Sequence, residues 1–111
     1  QAAIREILEE TGFDCKLISL GTSRIMFNRE NDLDHFFFGF DAVKNKLVKT
    51  EEGIKVKKFT LDEFKNLILV GKFQSVVSLG MLQLINLNLN CNFLIDKWQA
   101  IQKKANKVYK K

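Results

Sequence analysis

The sequence predicts an α+β protein, and two patterns in its 111 residues predict that class. Near both ends of the chain, apolar residues recur every three or four positions, which is the spacing of an amphipathic helix. Between these segments lie shorter runs rich in Phe, Ile, Leu and Val, which are typical of β-strands. An apolar content of 46% with ten Phe residues is sufficient for a packed core and argues against a disordered chain.

The first predicted helix extends from the start of the chain to about Thr11, and Gly12 suits the left-handed C-cap position that follows it. The helix places Arg5 beside three carboxylates that lie three and four positions apart on one side: Glu6, Glu9 and Glu10. Like charges at these spacings destabilise a helix by roughly 0.2–0.5 kcal/mol per pair. A divalent cation such as Mg²⁺ or Mn²⁺ prefers oxygen ligands and would offset this repulsion, so the carboxylates are a candidate metal site.

Three strands are predicted after this helix. The first covers residues 15–27, with a bend or bulge at Gly21, and a polar loop follows over residues 28–34. The second covers residues 35–43 and is rich in Phe and apolar on both faces, which favours a central strand covered on two sides. The third covers residues 54–59, where apolar and polar residues partly alternate.

Three further helices are predicted in the second half of the chain. Thr60 and Glu63 have the spacing of a capping box and open the first of these helices. Ser75 is a candidate N-cap for the next helix, residues 76–87, which is apolar almost all round and is therefore expected to be buried. The last, amphipathic helix is expected over residues 93–109.

The segment from Arg5 to Phe13 resembles the second half of the Nudix box, whose pattern is Gly-x5-Glu-x7-Arg-Glu-U-x-Glu-Glu-x-Gly-U, with U a bulky apolar residue. Each specified position of this half is filled by a matching residue: Arg5, Glu6, Ile7, Glu9, Glu10, Gly12 and Phe13. The leading Gly and the first Glu of the pattern are absent from this sequence, which opens with Gln1. We therefore expect a fragment that begins within its own motif and lacks the first strands.

The resemblance implies a partial Nudix fold, an α/β/α sandwich in which a mixed β-sheet lies between helices. Residues 1–90 are expected to form this partial domain, and residues 91–111 a basic amphipathic helix or tail. Residues 51–87 also resemble the C-terminal stretch of ADP-ribose pyrophosphatase-like members. ADP-ribose-like substrates are therefore favoured among the substrates of the family.

The resemblance also implies a metal-dependent hydrolase that cleaves the diphosphate of a nucleoside diphosphate linked to another moiety, such as a sugar. Glu6, Glu9 and Glu10 would hold Mg²⁺ or Mn²⁺, and Glu6 would also help to position or deprotonate the attacking water. Arg5 would orient the carboxylates through charge-assisted hydrogen bonds. Because part of the motif is absent, we expect little or no turnover from this fragment alone.

Other charged residues are candidates for the same site. Glu52, with its neighbour Glu51, is either a further acidic ligand or base, as in many relatives, or an exposed charged turn. Arg24 and Arg29 could bind phosphate, because a guanidinium pairs with it bidentately, although ordinary surface positions are the simpler interpretation. The sequence leaves both alternatives open.

The net charge of +5 reflects residues 99–111, which hold five Lys and no acid. A solvated terminal helix is the simpler interpretation, so we expect neither a nucleic-acid partner nor a membrane partner. Cys15 and Cys91 lack metal-ligand spacing and are expected to be reduced thiols of a cytoplasmic protein. The apolar helices or an uncovered sheet edge could support a homodimer.

The alternative function is a non-catalytic, Nudix-derived module that binds a nucleotide or RNA. Metal-dependent cleavage would favour the enzyme. Steeply salt-dependent RNA binding that is lost with residues 99–111 would favour the module.

Overall fold

The structure, a computed structural model, describes residues 2–23, 34–73 and 75–110, and its elements confirm the α+β class. Residues 24–27 of the first predicted strand and 28–33 of the predicted loop lie outside the described residues. In the described ranges, no helix is both long and apolar enough to cross a membrane. The elements in chain order are α1 (Ala2–Thr11), β1 (Phe13–Ser23), β2 (Asp34–Lys44), α2 (Leu61–Leu69), α3 (Val76–Leu89) and α4 (Trp98–Tyr109).

β1 and β2 pair antiparallel and form the sheet of the described part of the chain. Ile18 lies opposite Phe38, which places both side chains on the same face. The register shifts between Ser19 and Gly21, which confirms the irregularity predicted at Gly21. A second shift follows Asp14, so the regular pairing of β1 and β2 is interrupted in two places.

The prediction of a third strand over residues 54–59 is wrong. This segment has no regular secondary structure, and its large apolar side chains are exposed: Ile54, Val56 and Phe59. Among the described residues, the sheet contains only β1 and β2, so this segment has no neighbouring strand to satisfy its N–H and C=O groups. Alternating hydrophobicity alone is therefore insufficient to form a strand here.

β2 buries one face rather than two. Its buried side chains alternate along the strand: Phe36, Phe38 and Phe40. On the other face, Phe37 is half-buried, and a Cβ atom on Gly39 would lie 3.2 Å from Cys15 Sγ of β1. The prediction of a strand covered on two sides is therefore wrong, because the continuous run of Phe conceals an ordinary alternation of buried and less buried positions.

The core lies between this face of the sheet and two helices. Ile85 and Leu89 are one turn apart on α3, Ile101 and Ala105 are one turn apart on α4, and all four pack against the buried strand residues. α3 is not buried all round as predicted, since Leu87 is 78% exposed. Its sequence is apolar on every side, but the described residues cover one side of it.

The last helix begins at Trp98 rather than at Phe93. Residues 93–97 instead belong to a turn, in which Asn92 N donates a hydrogen bond to the Asp96 carboxylate at 2.8 Å. Phe93 packs edge-on against Phe38, with 6.0 Å between the ring centroids. The apolar spacing that predicted a longer helix therefore includes a residue that packs from a turn.

The helix starts at α2 and α3 agree with the sequence predictions. Glu63 N donates to Thr60 Oγ1 at 3.1 Å, and Thr60 N donates to Glu63 Oε1 at 2.8 Å, which is the predicted capping box. The hydrogen bond that the Thr60 N–H donates to the Glu63 carboxylate lowers the pKa of that carboxyl. Ser75 caps α3, because its hydroxyl accepts a hydrogen bond from Ser78 N at 3.1 Å.

Candidate functional site

α1 bears the three carboxylates of the candidate metal site, and its C-terminal end has the predicted geometry. Gly12 N donates to Leu8 O at 2.8 Å, and Gly12 has a φ of +77°, in the left-handed region. The helical spacing places the acidic side chains on adjacent turns of one side, and all of them are exposed: Glu6, Glu9 and Glu10.

Arg5 lies beside one of these carboxylates. Its Nε is 3.9 Å from Glu9 Oε1, and the two side chains are 70% and 52% exposed. A pair so exposed to water contributes little to stability, about 0.3–0.5 kcal/mol for a helical i, i+4 arrangement. At 3.9 Å the two groups are within ion-pair range but beyond hydrogen-bonding distance, so the contact adds little to the stability of the helix.

The chemistry of these side chains fits a hard divalent cation, although no metal cluster is preformed. In the part of the chain that the structure describes, no three His, Cys, Asp or Glu side chains approach closely enough to hold an ion together. Three exposed carboxylates on one helix repel one another and are free to change rotamer. They offer only oxygen ligands, which are the ligands that Mg²⁺ and Mn²⁺ prefer.

A charged loop, residues 45–53, is joined to the end of α1 by backbone hydrogen bonds. Glu51 N donates to Glu9 O at 3.2 Å, and Asn45 N donates to Gly12 O at 2.9 Å. The first of these bonds brings the backbone of Glu51 directly to a residue of the candidate metal site. The sequence singled out the acids of this loop, but it gave no signal that the loop bonds to the helix.

Of the three remaining predicted site residues, the structure describes one. Glu52 is exposed and follows Glu51 in the 45–53 loop. Arg24 and Arg29 lie outside the described residues, so their role as phosphate ligands stays a prediction.

Phe13, the last residue of the Arg5–Phe13 segment, contacts two ammonium groups. Lys44 Nζ is 5.2 Å and Lys58 Nζ is 5.0 Å from the centroid of its ring. Both distances are within the range of a cation–π interaction. No motif in the sequence indicated these lysines, because they come from the end of β2 and from the irregular segment before α2.

A polar cluster around Asp41 ties the sheet to α4. Lys16 Nζ is 3.3 Å from Asp41 Oδ2 and 2.9 Å from Asn106 Oδ1, and the Gln102 amide also donates to the Asp41 carboxylate. The hydrogen bond from Gln102, followed by those from Lys16 and Asn106, lowers the pKa of Asp41 despite partial burial. Asp41 has a φ of +51°, so an L-residue here adopts a conformation that Asp tolerates better than most.

An apolar cavity of about 610 Å³ lies where the three C-terminal helices meet β2. Its volume is in the range of small-molecule sites, but its lining offers few polar groups. The lining residues are Phe38, Phe59, Thr60, Leu61, Phe64, Leu82, Ile85, Phe93, Asp96, Trp98 and Ile101.

Residues 1–77 match the family model described as NUDIX domain, which covers 77 of the 111 residues. The chain belongs to the Nudix family. The match includes the Arg5–Phe13 segment and confirms the resemblance inferred from it. Membership supports a Nudix hydrolase function in general terms, with a nucleotide-derived substrate and a divalent metal. No curated protein and no solved structure matches the chain.

Proposed function

We propose that this Nudix chain contributes the metal-binding helix of a hydrolase that cleaves the diphosphate of a nucleoside diphosphate linked to another moiety. Nucleotide sugars and ADP-ribose-like compounds are the proposed substrates. The observation that supports this best is the hydrogen bond from Glu51 N to Glu9 O, because it joins the loop that bears Glu51 and Glu52 to the helix that bears the carboxylates.

The proposed roles follow from the chemistry of each side chain. Glu6, Glu9 and Glu10 would hold Mg²⁺ or Mn²⁺ through carboxylate oxygens. The bound cation would neutralise charge on the diphosphate and make a water more acidic. Arg5 would hold Glu9 in orientation through the contact at 3.9 Å.

A second group of residues would act on the water and on the substrate. Glu6 and Glu52 are the proposed acceptors of the proton from the attacking water, since each is an exposed carboxylate. Arg24 and Arg29 are proposed to bind the substrate phosphates, for which a guanidinium is well suited.

We further propose that residues 1–111 alone turn over weakly or not at all. The Nudix pattern has a leading Gly and a further Glu that these residues do not include. With three carboxylates that do not converge in the described structure, cation binding must first overcome the loss of side-chain freedom.

The test is an assay of nucleotide diphosphate cleavage with Mg²⁺ or Mn²⁺, over a panel that contains ADP-ribose and several nucleotide sugars. It is run on this chain and on the longest product of its reading frame. We expect metal-dependent release of a nucleoside monophosphate by the longest product of the reading frame and its collapse in Glu9→Gln. Asp62→Asn, which removes one exposed acid from α2, is the matched control and should retain activity. Absence of cleavage by the longest product, or an active Glu9→Gln variant, would contradict the proposal.

A second candidate function, RNA binding by a non-catalytic module, is supported by the polar side of α4. Six of its side chains line a shallow concavity of about 640 Å³: Gln99, Gln102, Lys103, Asn106, Lys107 and Lys110. Binding of an RNA oligonucleotide would weaken steeply with salt if these lysines contact phosphates. Replacing Lys103, Lys107 and Lys110 by Gln should then reduce that salt dependence. The same change at three exposed lysines elsewhere should not: Lys46, Lys49 and Lys55.

We also propose a cytoplasmic location and a homodimer. Cys15 and Cys91 are free thiols, which favours a reducing compartment. Leu87 and Val77 of α3 are exposed apolar side chains that a second copy could cover. Sedimentation velocity of the purified chain tests the dimer, since a monomer at all concentrations would exclude it.

A further inference from the structure

Two lysines from different parts of the chain converge on one aromatic ring at the end of α1. Lys44 Nζ and Lys58 Nζ lie 5.2 Å and 5.0 Å from the centroid of Phe13. The two nitrogens are therefore at most about 10 Å apart, a separation at which exposed charges interact at low ionic strength and are largely screened at physiological salt. A ring with a negative face attracts each ammonium, but it does not neutralise the pair.

Neither ammonium has an acidic partner in the described part of the chain. The salt bridges there join Arg5 to Glu9 and Lys16 to Asp41, and neither includes Lys44 or Lys58. Lys16 is the internal comparison, because its Nζ also lies near two rings, 5.8 Å from Phe40 and 5.7 Å from Tyr109. That lysine has a carboxylate at 3.3 Å, whereas the pair over Phe13 has none.

The lysine pair is adjacent to the candidate metal site. A Cβ atom on Gly12 would lie 2.6 Å from Lys44 Nζ and 3.4 Å from Thr50 Oγ1, so this ammonium approaches the backbone two residues after Glu10. The 45–53 loop, which follows Lys44, reaches the same turn of α1 through the hydrogen bond from Glu51 N to Glu9 O. Cationic and anionic side chains thus flank one end of the helix.

We propose that Lys44 and Lys58 form an anion-binding site that takes the diphosphate group of the substrate. The inference rests on the proposed function, since it assigns the position of the group that is cleaved. A diphosphate is a multivalent anion, and ammonium groups bind phosphate oxygens as point charges with several donors. The bound anion would place negative charge beside two ammonium groups that have no carboxylate partner among the described residues.

A purely structural role for the lysines makes a different prediction. Cations near the C-terminal end of a helix interact favourably with its dipole, and Lys44 is close to that end of α1. If this were their only role, removing the lysines would lower stability and leave anion binding unchanged. The two roles are separated by measuring binding and unfolding on the same variants.

The test is titration calorimetry of the full chain with inorganic pyrophosphate, in metal-free buffer at low ionic strength. The variant is Lys44→Gln with Lys58→Gln. Its matched control is Lys46→Gln with Lys55→Gln, which changes the net charge equally at two exposed positions of the same region. We expect the affinity to fall at least about tenfold in the variant and less than about twofold in the control. Lys44→Arg with Lys58→Arg, which keeps both charges, should retain binding.

Each other outcome overturns the inference. These are no binding of pyrophosphate to the wild-type chain, an equal loss in variant and control, and full affinity in the variant. Thermal unfolding of every variant shows whether a loss of affinity comes from a loss of fold. If the glutamine variant is unfolded, the arginine variant, which keeps both charges, tests the inference instead: loss of binding in a folded arginine variant overturns it. Metal-dependent cleavage that requires Glu9 but not the lysines would end this inference and leave the proposed function standing. Pyrophosphate binding that requires the lysines, with no cleavage under any condition, would contradict the proposed function and leave the anion-binding site standing.

Discussion

Gly12 shows how one residue sets the geometry at the end of α1. It is buried, has a φ of +77°, and accepts a hydrogen bond from Asn45 N of the 45–53 loop. A side chain here would both strain the backbone and displace the Lys44 ammonium. Gly12 therefore matters for the joining of helix and loop as well as for ending the helix.

Gly12→Ala should lower the free energy of unfolding by about 1–2 kcal/mol, because an L-residue is disfavoured in the left-handed region. Gly80→Ala is the matched control. Gly80 lies within α3, and a Cβ there would meet no atom within 4 Å, so this change should stabilise the chain by about 0.5–1 kcal/mol. Urea unfolding of both variants measures the difference, and effects of the same sign would contradict this account of Gly12.

Asp41→Asn should reduce stability near neutral pH and have little effect in acid. The hydrogen bonds from Gln102, Lys16 and Asn106 hold the pKa of Asp41 below its unfolded value. The carboxylate therefore stabilises the fold above the unfolded pKa of about 4, and this contribution is lost as the pH falls through the folded pKa. Asn tolerates the positive φ, so the change removes the charge and one acceptor oxygen without straining the backbone.

Urea unfolding between about pH 7 and pH 3 tests this prediction, since the difference between wild type and Asp41→Asn should shrink as the pH falls. Asp62→Asn, at an exposed acid of α2, should leave most of the wild-type pH dependence in place. A difference that is constant with pH would show that the charge on Asp41 is not what stabilises the cluster.

The start of α2 is an element whose stability comes from side chains close in sequence. Thr60→Ala should lower the free energy of unfolding by about 0.5–2 kcal/mol, because the hydroxyl that caps Glu63 N is lost. Thr60→Ser retains the hydroxyl and should cost much less. Equal effects of the two changes in urea unfolding would contradict the capping role.

Elements that depend on local signals could be predicted from the sequence, and those that depend on distant partners could not. The Gly12 C-cap and the Thr60–Glu63 capping box are read from neighbouring residues, and both are present. The strand expected over residues 54–59 needed a neighbouring strand, and the burial of α3 needed covering layers on several sides. A pattern along one segment does not contain that information.

The residues of the candidate site fall into the same two groups, those indicated by local sequence patterns and those brought together by the fold. The carboxylates of α1 are identified by their spacing within one helix. The approach of the 45–53 loop and of Lys44 and Lys58 joins residues more than thirty positions apart in the sequence, so no local pattern indicates it. The acids of the loop are indicated only by the resemblance to the Nudix family.

At the scale of the whole molecule, stability depends on the core between the sheet and the C-terminal helices. Ile101 is 1% exposed, and Ile101→Ala should lower the free energy of unfolding by about 2–5 kcal/mol, which is a large part of the stability of a small domain. Ile95→Ala is the matched control at a 72% exposed position and should change it by less than about 0.5 kcal/mol. If urea unfolding shows similar losses of unfolding free energy in Ile101→Ala and Ile95→Ala, the proposed position of the core is contradicted.

The central claim is that the carboxylates of α1 bind a divalent metal ion, and titration of the full chain with Mn²⁺, followed by electron paramagnetic resonance, tests it most directly. We predict one bound Mn²⁺ per chain, with an affinity that falls at least about tenfold in Glu9→Gln and is retained in Asp62→Asn. Absence of binding to the wild-type chain, or equal affinities of the wild-type and Glu9→Gln chains, would contradict the claim.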